Sequence, residues 1–331
     1  MIVSASAPGK VVLLGEYVVL DGAQALVMAV NKRCRAELGP VPGDRGSLEM
    51  RMPALQVSDF GRGELTGSSL LDTLIGSADL GPPWPVWAAA IDSSEFFSAG
   101  LKLGLGSSAA ALVAFAGASW ATAGKPGQPG LSELIACHRS FQGGAGSGID
   151  VAAALTGGVV KFSLSPVGEP RIGSVQLPKS VGFAGIFAGG SASTPGLVGQ
   201  YRQWADAGSG QADALRQRLI AAADRGCVAV HDDDGSAFVA AIDEYGRCLE
   251  ELGHEMGADL VTAEHRQIGK IAAEMGLAYK VSGAGGGDVG MACGLDPDAL
   301  RSFSDKATSG GFRAVPLLVD ELGLLVEEHA E

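Results

Sequence analysis

The residues best suited to chemistry lie where a loop of glycine and serine runs into an apolar segment. Residues 103–108 form the loop, and residues 109–120 are mostly alanine and other apolar types. The first turn of a helix presents N–H groups without an intrahelical partner and a partial positive charge, and glycine lets the backbone approach a ligand closely. The stretch therefore predicts an anion site. The alternative is a buried alanine-rich helix that Ser107 or Ser108 caps.

Two other interpretations of this stretch are weaker. Gly104, Gly106 and Ala109 match the dinucleotide-binding pattern, but that motif should end the first strand of a βαβ unit and have an acidic residue about 20 positions later. Residues 127–130 contain no acid. The uncharged run 103–124 is long enough to span a membrane, but it is rich in glycine, serine and alanine, which favours a buried helix.

Two further glycine loops carry polar groups. Residues 142–148 contain four glycines and deliver Asp150 to the start of an alanine-rich helix, either as a helix cap or as a carboxylate that faces a ligand. Four of the five residues 283–287 are also glycine, between the strand-like segments 279–282 and 289–293. A plain hairpin does not need so many glycines, so this loop predicts a second close approach to a ligand.

Positive side chains lie in or beside these loops. Lys10 is expected in a turn, 8–10, between strands 2–7 and 11–14. The alternative for each cation is an ordinary solvated side chain. A hydroxyl-rich loop, 189–194, precedes another predicted helix and suits a polar ligand or a cap. The remaining candidate cations are Lys102, Arg139, Arg202 and Lys280.

Composition sets the frame in which these loops must be positioned. With 331 residues, of which 47% are hydrophobic and 18% charged, the chain is expected to fold into two domains. Short strands at the start and helices at 69–75, 131–141, 238–256 and 260–275 predict an α+β protein. A net charge of −13 argues against a nucleic-acid or anionic-membrane partner. Five scattered cysteines and no evident signal peptide favour reduced thiols and a cytoplasmic protein.

Residues 7–17, 103–110 and 282–288 resemble, in order and spacing, the three signature motifs of the GHMP kinases. This superfamily of small-molecule kinases includes galactokinase, homoserine kinase, mevalonate kinase and phosphomevalonate kinase. The resemblance implies a ribosomal protein S5 domain 2-like domain, assigned to 1–170, and a ferredoxin-like domain, assigned to 171–331. It also implies that ATP and Mg²⁺ are cofactors. ATP binding falls to Gly104, Leu105, Gly106, Ser107, Ser108 and Ala109, with Ser108 as the Mg²⁺ ligand.

Within the superfamily, the region around Asp150 is most similar to the phosphomevalonate kinases. Mevalonate kinases tend to have an asparagine after this aspartate and an acidic Mg²⁺ ligand eleven residues before it, whereas this chain has Val151 and Arg139. The acidic ligand therefore stays unassigned. We expect Lys10, Lys102 and Asp150 to be catalytic. The substrate contacts are expected from Lys10, Glu16, Tyr17, Ser147, Gly148, Asp150, Ser193, Thr194, Gly285, Gly286 and Asp288.

These expectations describe a kinase that makes mevalonate 5-diphosphate from 5-phosphomevalonate, as a monomer or homodimer with small anionic substrates. A phosphate acceptor is already largely anionic at pH 7 and needs cations more than a base, whereas an alcohol acceptor needs Asp150 as general base. Mevalonate kinase or another alcohol or sugar kinase is the nearest alternative. A silent binding protein of the same fold and an NAD-binding oxidoreductase are alternatives from other classes.

Overall fold

The computed structural model describes residues 2–52, 54–77, 80–144, 146–190, 194–208 and 210–329. The strands are β1 (Ile2–Leu14), β2 (Ala25–Pro40), β3 (Arg45–Arg51), β4 (Gln56–Gly61), β5 (Trp87–Asp92), β6 (Phe97–Ser98), β7 (Leu101–Lys102), β8 (Val159–Leu164), β9 (Pro170–Val175), β10 (Gly182–Phe187), β11 (Ala278–Val281), β12 (Val289–Gly294), β13 (Arg313–Val315) and β14 (Leu325–His329). The helices are α1 (Ser69–Ile75), α2 (Ser107–Thr122), α3 (Leu131–Phe141), α4 (Ile149–Thr156), α5 (Thr194–Asp206), α6 (Gly210–His231), α7 (Gly235–Met256), α8 (Ala263–Glu274) and α9 (Pro297–Ser309). Short 3₁₀ segments lie at Val18–Asp21 and Ser94–Phe96.

The chain forms two compact units, and each unit is built from separate stretches of sequence. Unit 1 contains Met1–Lys10, Ala29–Gly158 and Asp320–Glu331. Unit 2 contains Val11–Met28 and Val159–Val319. Two of the four boundaries fall within β1 and β2, so the units are not contiguous halves. The division into domains 1–170 and 171–331 stays a prediction.

Unit 1 is a sheet with helices packed against it. Its strands follow the order β14-β1-β2-β5-β3-β4, with β3 and β5 parallel and β1 antiparallel to β14. Helix α2 is apolar on all sides and contacts α1, α3, α4, β5 and β14, as expected for a helix that is buried all round. In the part of the chain that the structure describes, no helix combines the length and hydropathy needed to span a membrane.

The C-terminal segment of unit 1 is held by a nearly buried guanidinium. Arg33 Nη1 donates to Asp320 Oδ2 at 2.6 Å, and Arg33 also bonds to Ser6 and to the carbonyl of Gly323. The backbone N–H of Asp320 donates to Ala29 O at 3.0 Å. This network fixes the return of the chain after residue 319, a connection that no local sequence signal indicates.

Unit 2 has the chain order of a ferredoxin-like domain. Strand β10, four helices, β11, β12, α9 and β13 follow one another, and the antiparallel sheet has the order β11-β12-β10-β13. One buried cluster joins Ile186, Ile268, Ala292 and Phe303. Strands β8 and β9 pair in an antiparallel manner, and β8 also pairs with residues 25–28 of β2.

The strongest periodic patterns are found where the sequence predicts helices. Segments 69–75 and 131–141 are α1 and α3, and 238–256 lies within α7. Helix α8 begins at Ala263 rather than near residue 260, because Thr262 caps it by accepting a bond from His265 N.

Candidate active site

The anion-binding loop in unit 1 leads into α2 without a side-chain cap. Gly106 is the N-cap, with a φ of 83°, and no side chain among residues 80–144 that the structure describes caps this helix. The serine cap that the sequence allows is therefore absent. Ser107 is buried, and the Ser108 hydroxyl turns to another partner. The free N–H groups of the first helical turn are the feature that suits an anion.

Lys10, which lies on β1, forms hydrogen bonds to this loop. Its backbone N–H donates to Leu105 O at 2.8 Å, and its Nζ donates to Gly104 O at 3.1 Å. The expected turn at 8–10 is wrong, since β1 continues through it as one strand. Close packing explains the glycine before Lys10, because a Cβ on Gly9 would lie 2.6 Å from Leu105 O. The Lys10 side chain is 9% exposed and lies against the loop.

A buried histidine connects this loop to the second one. The Ser108 Oγ lies 3.2 Å from His138 Nε2, and His138 Nδ1 lies 3.7 Å from Asp150 Oδ2. His138 is 1% exposed and sits in the last turn of α3. Sequence reasoning missed it. The available signal was a histidine at the end of a predicted helix, directly before a glycine loop.

Asp150 belongs to the first turn of α4, after Gly148 as the N-cap. Its Oδ1 accepts from Val151 N at 3.0 Å, and its side chain is 20% exposed. Gly148 has a φ of 87°, and a Cβ there would lie 2.6 Å from two side-chain carbons of Ile135. Ser147 is buried beside it. Glycine is therefore required at residue 148, and it sets where α4 and its carboxylate begin.

Arg139 binds the backbone of the second glycine loop, residues 142–148. Its Nε donates to Gly146 O at 3.0 Å, and its Nη2 donates to Ser147 O at 2.8 Å. The guanidinium thus holds the backbone that precedes Asp150. Lys102 is exposed on the short strand β7, next to the anion-binding loop in sequence.

In unit 2, Glu16 forms a buried ion pair with Lys280. The carboxylate contacts Lys280 Nζ, which also donates to Val12 O at 3.2 Å. Burial raises the pKa of Glu16, and the neighbouring ammonium of Lys280 counteracts part of that rise. Tyr245 Oη donates to Glu16 O at 2.7 Å. Glu16 therefore has a protein partner, and its predicted contact with substrate stays a prediction.

The third glycine loop, residues 283–287, is held by hydrogen bonds to three other segments of the chain. Tyr17 Oη donates to Ala284 O, Gly286 N donates to Leu260 O at 2.8 Å, and His265 Nε2 donates to Gly287 O at 2.9 Å. Gly285 has a φ of 78°, and a Cβ there would lie 2.6 Å from Leu260 O. Asp288 also has a positive φ, of 62°, and its carbonyl accepts from Ala188 N. These bonds fix the backbone of the loop.

The contacts of His265 fit a neutral imidazole with its proton on Nε2. A carbonyl can only accept, so Nε2 carries the proton toward Gly287 O, and Nδ1 accepts from Tyr279 Oη at 2.7 Å. Burial lowers the pKa of His265, and the hydrogen bond to the Gly287 carbonyl and the carboxylates of Glu264 and Asp259 oppose this.

The remaining predicted ligand residues are spread more widely. Thr194 is the exposed first residue of α5, and Arg202 is exposed on the same helix. Ser193 lies outside the described residues. The structure thus gathers Lys10, 104–108, Ser147 and Asp150 within unit 1, and gathers Glu16, Tyr17 and 285–288 within unit 2.

Comparisons with known proteins agree with this architecture. No model of a protein family matches the chain. A phosphomevalonate kinase of Saccharolobus solfataricus is 26% identical over 345 residues, which cover 99% of this chain and 100% of that protein. The structure of Streptococcus pneumoniae phosphomevalonate kinase in complex with phosphomevalonate and AMPPNP has a TM-score of 0.79 at 20% identity, over 96% of this chain and 99% of that one. Lactococcus lactis galactokinase complexed with galactose has a TM-score of 0.74 at 13% identity, over 98% and 95% of the two chains.

The structural similarities extend over nearly the full length of each chain and establish the fold. It is the α+β GHMP kinase fold, as the sequence motifs predict. The chain belongs to the GHMP kinase superfamily.

We predict that Lys280→Met lowers the free energy of unfolding by about 3 to 5 kcal/mol, because it leaves the Glu16 carboxylate buried without its counter-charge. The double variant Glu16→Gln/Lys280→Met should recover part of this loss. Urea denaturation measures the effect. Lys270→Met, at an exposed position on α8, is the matched control. Equal stability of the two single variants would contradict the predicted role of the pair.

We predict that His265 contributes to the pH dependence of stability. Its folded pKa is below the ordinary value of 6.5, so its contribution is present above that pH and is lost as the unfolded chain takes up a proton at lower pH. His265→Gln should be less stable at about pH 8 and should lose less stability between about pH 7 and about pH 5. Thermal unfolding across pH measures this. His254→Gln, an exposed change on α7, should keep the original slope, and identical slopes in all three proteins would contradict the prediction.

Proposed function

We propose that this protein is an ATP-dependent small-molecule kinase that phosphorylates 5-phosphomevalonate to mevalonate 5-diphosphate. The observation that carries the proposal is the uncapped start of α2, with Lys10 bonded to the glycine loop before it. A helix N-terminus with a neighbouring ammonium suits the phosphates of a nucleotide. The full-length similarity to a phosphomevalonate kinase at 26% identity supports the choice of acceptor.

The residues of unit 1 fit a magnesium nucleotide. Mg²⁺ is usually held by substrate phosphates and a few protein oxygens rather than by a protein cage. Among the described residues, no group of three or more histidine, cysteine or acidic side chains could hold a metal ion. Ser108 Oγ is the oxygen we assign to the metal. When bound, the ion neutralises charge on the transferred phosphoryl group.

The N–H groups of α2 and the nearby cations are proposed to have different roles. The N–H groups at the start of α2 bind phosphate oxygens, and Lys10 keeps the loop in place and adds positive charge. Arg139 and Lys280 are engaged with loop carbonyls and with Glu16, respectively. Within unit 1, the cations that we propose to hold the acceptor phosphate are Lys10 and Lys102.

Phosphate as acceptor also agrees with how Asp150 is held. A phosphate monoester loses its second proton near pH 6, so transfer to it needs little base strength. Asp150 can then orient the acceptor or balance the charge of Lys10, and both roles stay open. A kinase for an unphosphorylated alcohol is the second candidate, with the partly exposed Asp150 carboxylate beside His138 as its general base. The fold similarity to a galactokinase is compatible with that candidate.

The test is ADP release from the purified protein with ATP and Mg²⁺, in which 5-phosphomevalonate is compared with mevalonate, galactose and homoserine. We expect 5-phosphomevalonate to give the highest kcat/KM. Preference for an unphosphorylated alcohol would overturn the acceptor and leave the kinase class intact. Absence of turnover with every acceptor, together with nucleotide binding, would favour a silent binding protein.

We predict that Lys10→Ala and Asp150→Asn each lower kcat/KM by about tenfold or more, which corresponds to about 1.4 kcal/mol of lost transition-state stabilisation. Lys179→Ala and Asp305→Asn change the same residue types at exposed positions and should leave the rate unchanged. Steady-state kinetics with the preferred acceptor measure the effect. Near-normal rates in both site variants would contradict the site assignment.

A further inference from the structure

His138 is a polar residue whose burial packing alone does not explain. Its side chain is 2% exposed, and its two ring nitrogens face Ser108 Oγ and the Asp150 carboxylate. Leu134, Ile135 and Cys137 supply the apolar surface of the same helix, and one face of the imidazole stacks on Phe141 at 6.1 Å between ring centroids. An apolar residue would pack at this position without the cost of burying two polar atoms.

The contacts of the ring select one direction for the Ser108 hydroxyl proton. A carboxylate only accepts hydrogen bonds, so the Asp150 side favours a proton on His138 Nδ1. In the tautomer with its proton on Nδ1, Nε2 is an acceptor to which the Ser108 hydroxyl, 3.2 Å away, can donate. The lone pairs of Ser108 Oγ are thereby directed away from the histidine.

A hydroxyl that ligates a cation must meet this condition. Its oxygen offers a lone pair to the metal, and its proton needs an acceptor on the opposite side. Such outer partners of a metal ligand fix its orientation and typically change metal affinity about 10- to 100-fold when they are removed.

We propose that His138 is a positioning residue that orients Ser108 as a ligand for nucleotide-bound Mg²⁺ and couples this ligand to Asp150. This inference rests on the proposed nucleotide-dependent function, but it does not depend on which acceptor the protein uses. It assigns a role to a residue that the proposed function does not use.

The test is ADP binding by isothermal titration calorimetry, once with Mg²⁺ and once with EDTA, for Ser108→Ala, His138→Phe and the double variant. Each single variant should lose about tenfold of the affinity gained from Mg²⁺, and the double variant should lose no more than either one. Binding in EDTA should be the same in all of them. Leu134→Ala, a buried change on the same helix, is the matched control and should lower the Tm without changing the gain from Mg²⁺.

Two conservative variants separate positioning from packing. The amide of His138→Gln reaches the place of Nε2 and can accept from Ser108, whereas the amide of His138→Asn reaches only the place of Nδ1. Gln should retain most of the gain from Mg²⁺, and Asn should lose it. This pair also decides the matter if His138→Phe does not fold.

The outcomes distinguish this inference from the proposed function. If Mg²⁺ strengthens ADP binding to the unaltered chain, but the His138 variants keep the full gain or add their losses to that of Ser108→Ala, only the inference is overturned. Equal losses with Mg²⁺ and EDTA also overturn it, because they indicate a general change of the loop. If the unaltered chain gains nothing from Mg²⁺, the kinase proposal fails together with the inference.

Discussion

The structure of unit 1 depends on one constraint: in the part of the chain that the structure describes, the N-terminus of α2 follows a glycine loop and has no side-chain cap. Free N–H groups at a helix start are unfavourable unless a ligand or water meets them. The surrounding protein fixes their position by packing against α2 and by holding the glycine loop from outside. Lys10 bonds to the loop through both its backbone and its ammonium, and β1 comes close enough that residue 9 must be glycine.

In unit 2, the third glycine loop is likewise held by hydrogen bonds from other segments of the chain. Glycines there give the backbone the conformations it needs, and side chains from more distant segments hold its carbonyls. Two of these side chains, Tyr17 and His265, bond to carbonyls of the loop. Nearby, Glu16 forms its buried ion pair with Lys280. Buried polar groups of this kind help specify one arrangement when all their partners are present.

The roles of the cations follow from their contacts rather than from their positions in sequence. A chain with a net charge of −13 needs local positive charge to bind anions, and five cations lie near the glycine segments and the hydroxyl-rich loop. Arg139 donates to the backbone before Asp150, and Lys280 neutralises Glu16. Both therefore support the loops from within. Because Arg139 and Lys280 bind protein groups, fewer cations remain to bind substrates. The position of Lys10 in unit 1 is therefore more important for binding an anion.

The sequence by itself determined the α+β class and the three glycine loops, because both are encoded in local spacing, and the resemblance of three motifs indicated the superfamily. Helices α1 and α3 match their predicted limits, since periodic apolar residues specify a helix wherever it packs. Local patterns failed where a distant contact decides the conformation. Pro8 and Gly9 signal a turn, yet β1 continues through them because the loop at Leu105 pairs with Lys10.

Only the tertiary structure decided which side chains meet. His138 lies thirty residues from Ser108 and twelve from Asp150, and no spacing rule places one imidazole between both. Likewise, the pairing of Glu16 with Lys280 spans most of the chain and could not be told from two solvated charges. Local spacing encodes backbone conformation, whereas the partner of a polar side chain is set by how helices and strands pack, since burial leaves each polar atom only the few partners that its neighbours supply.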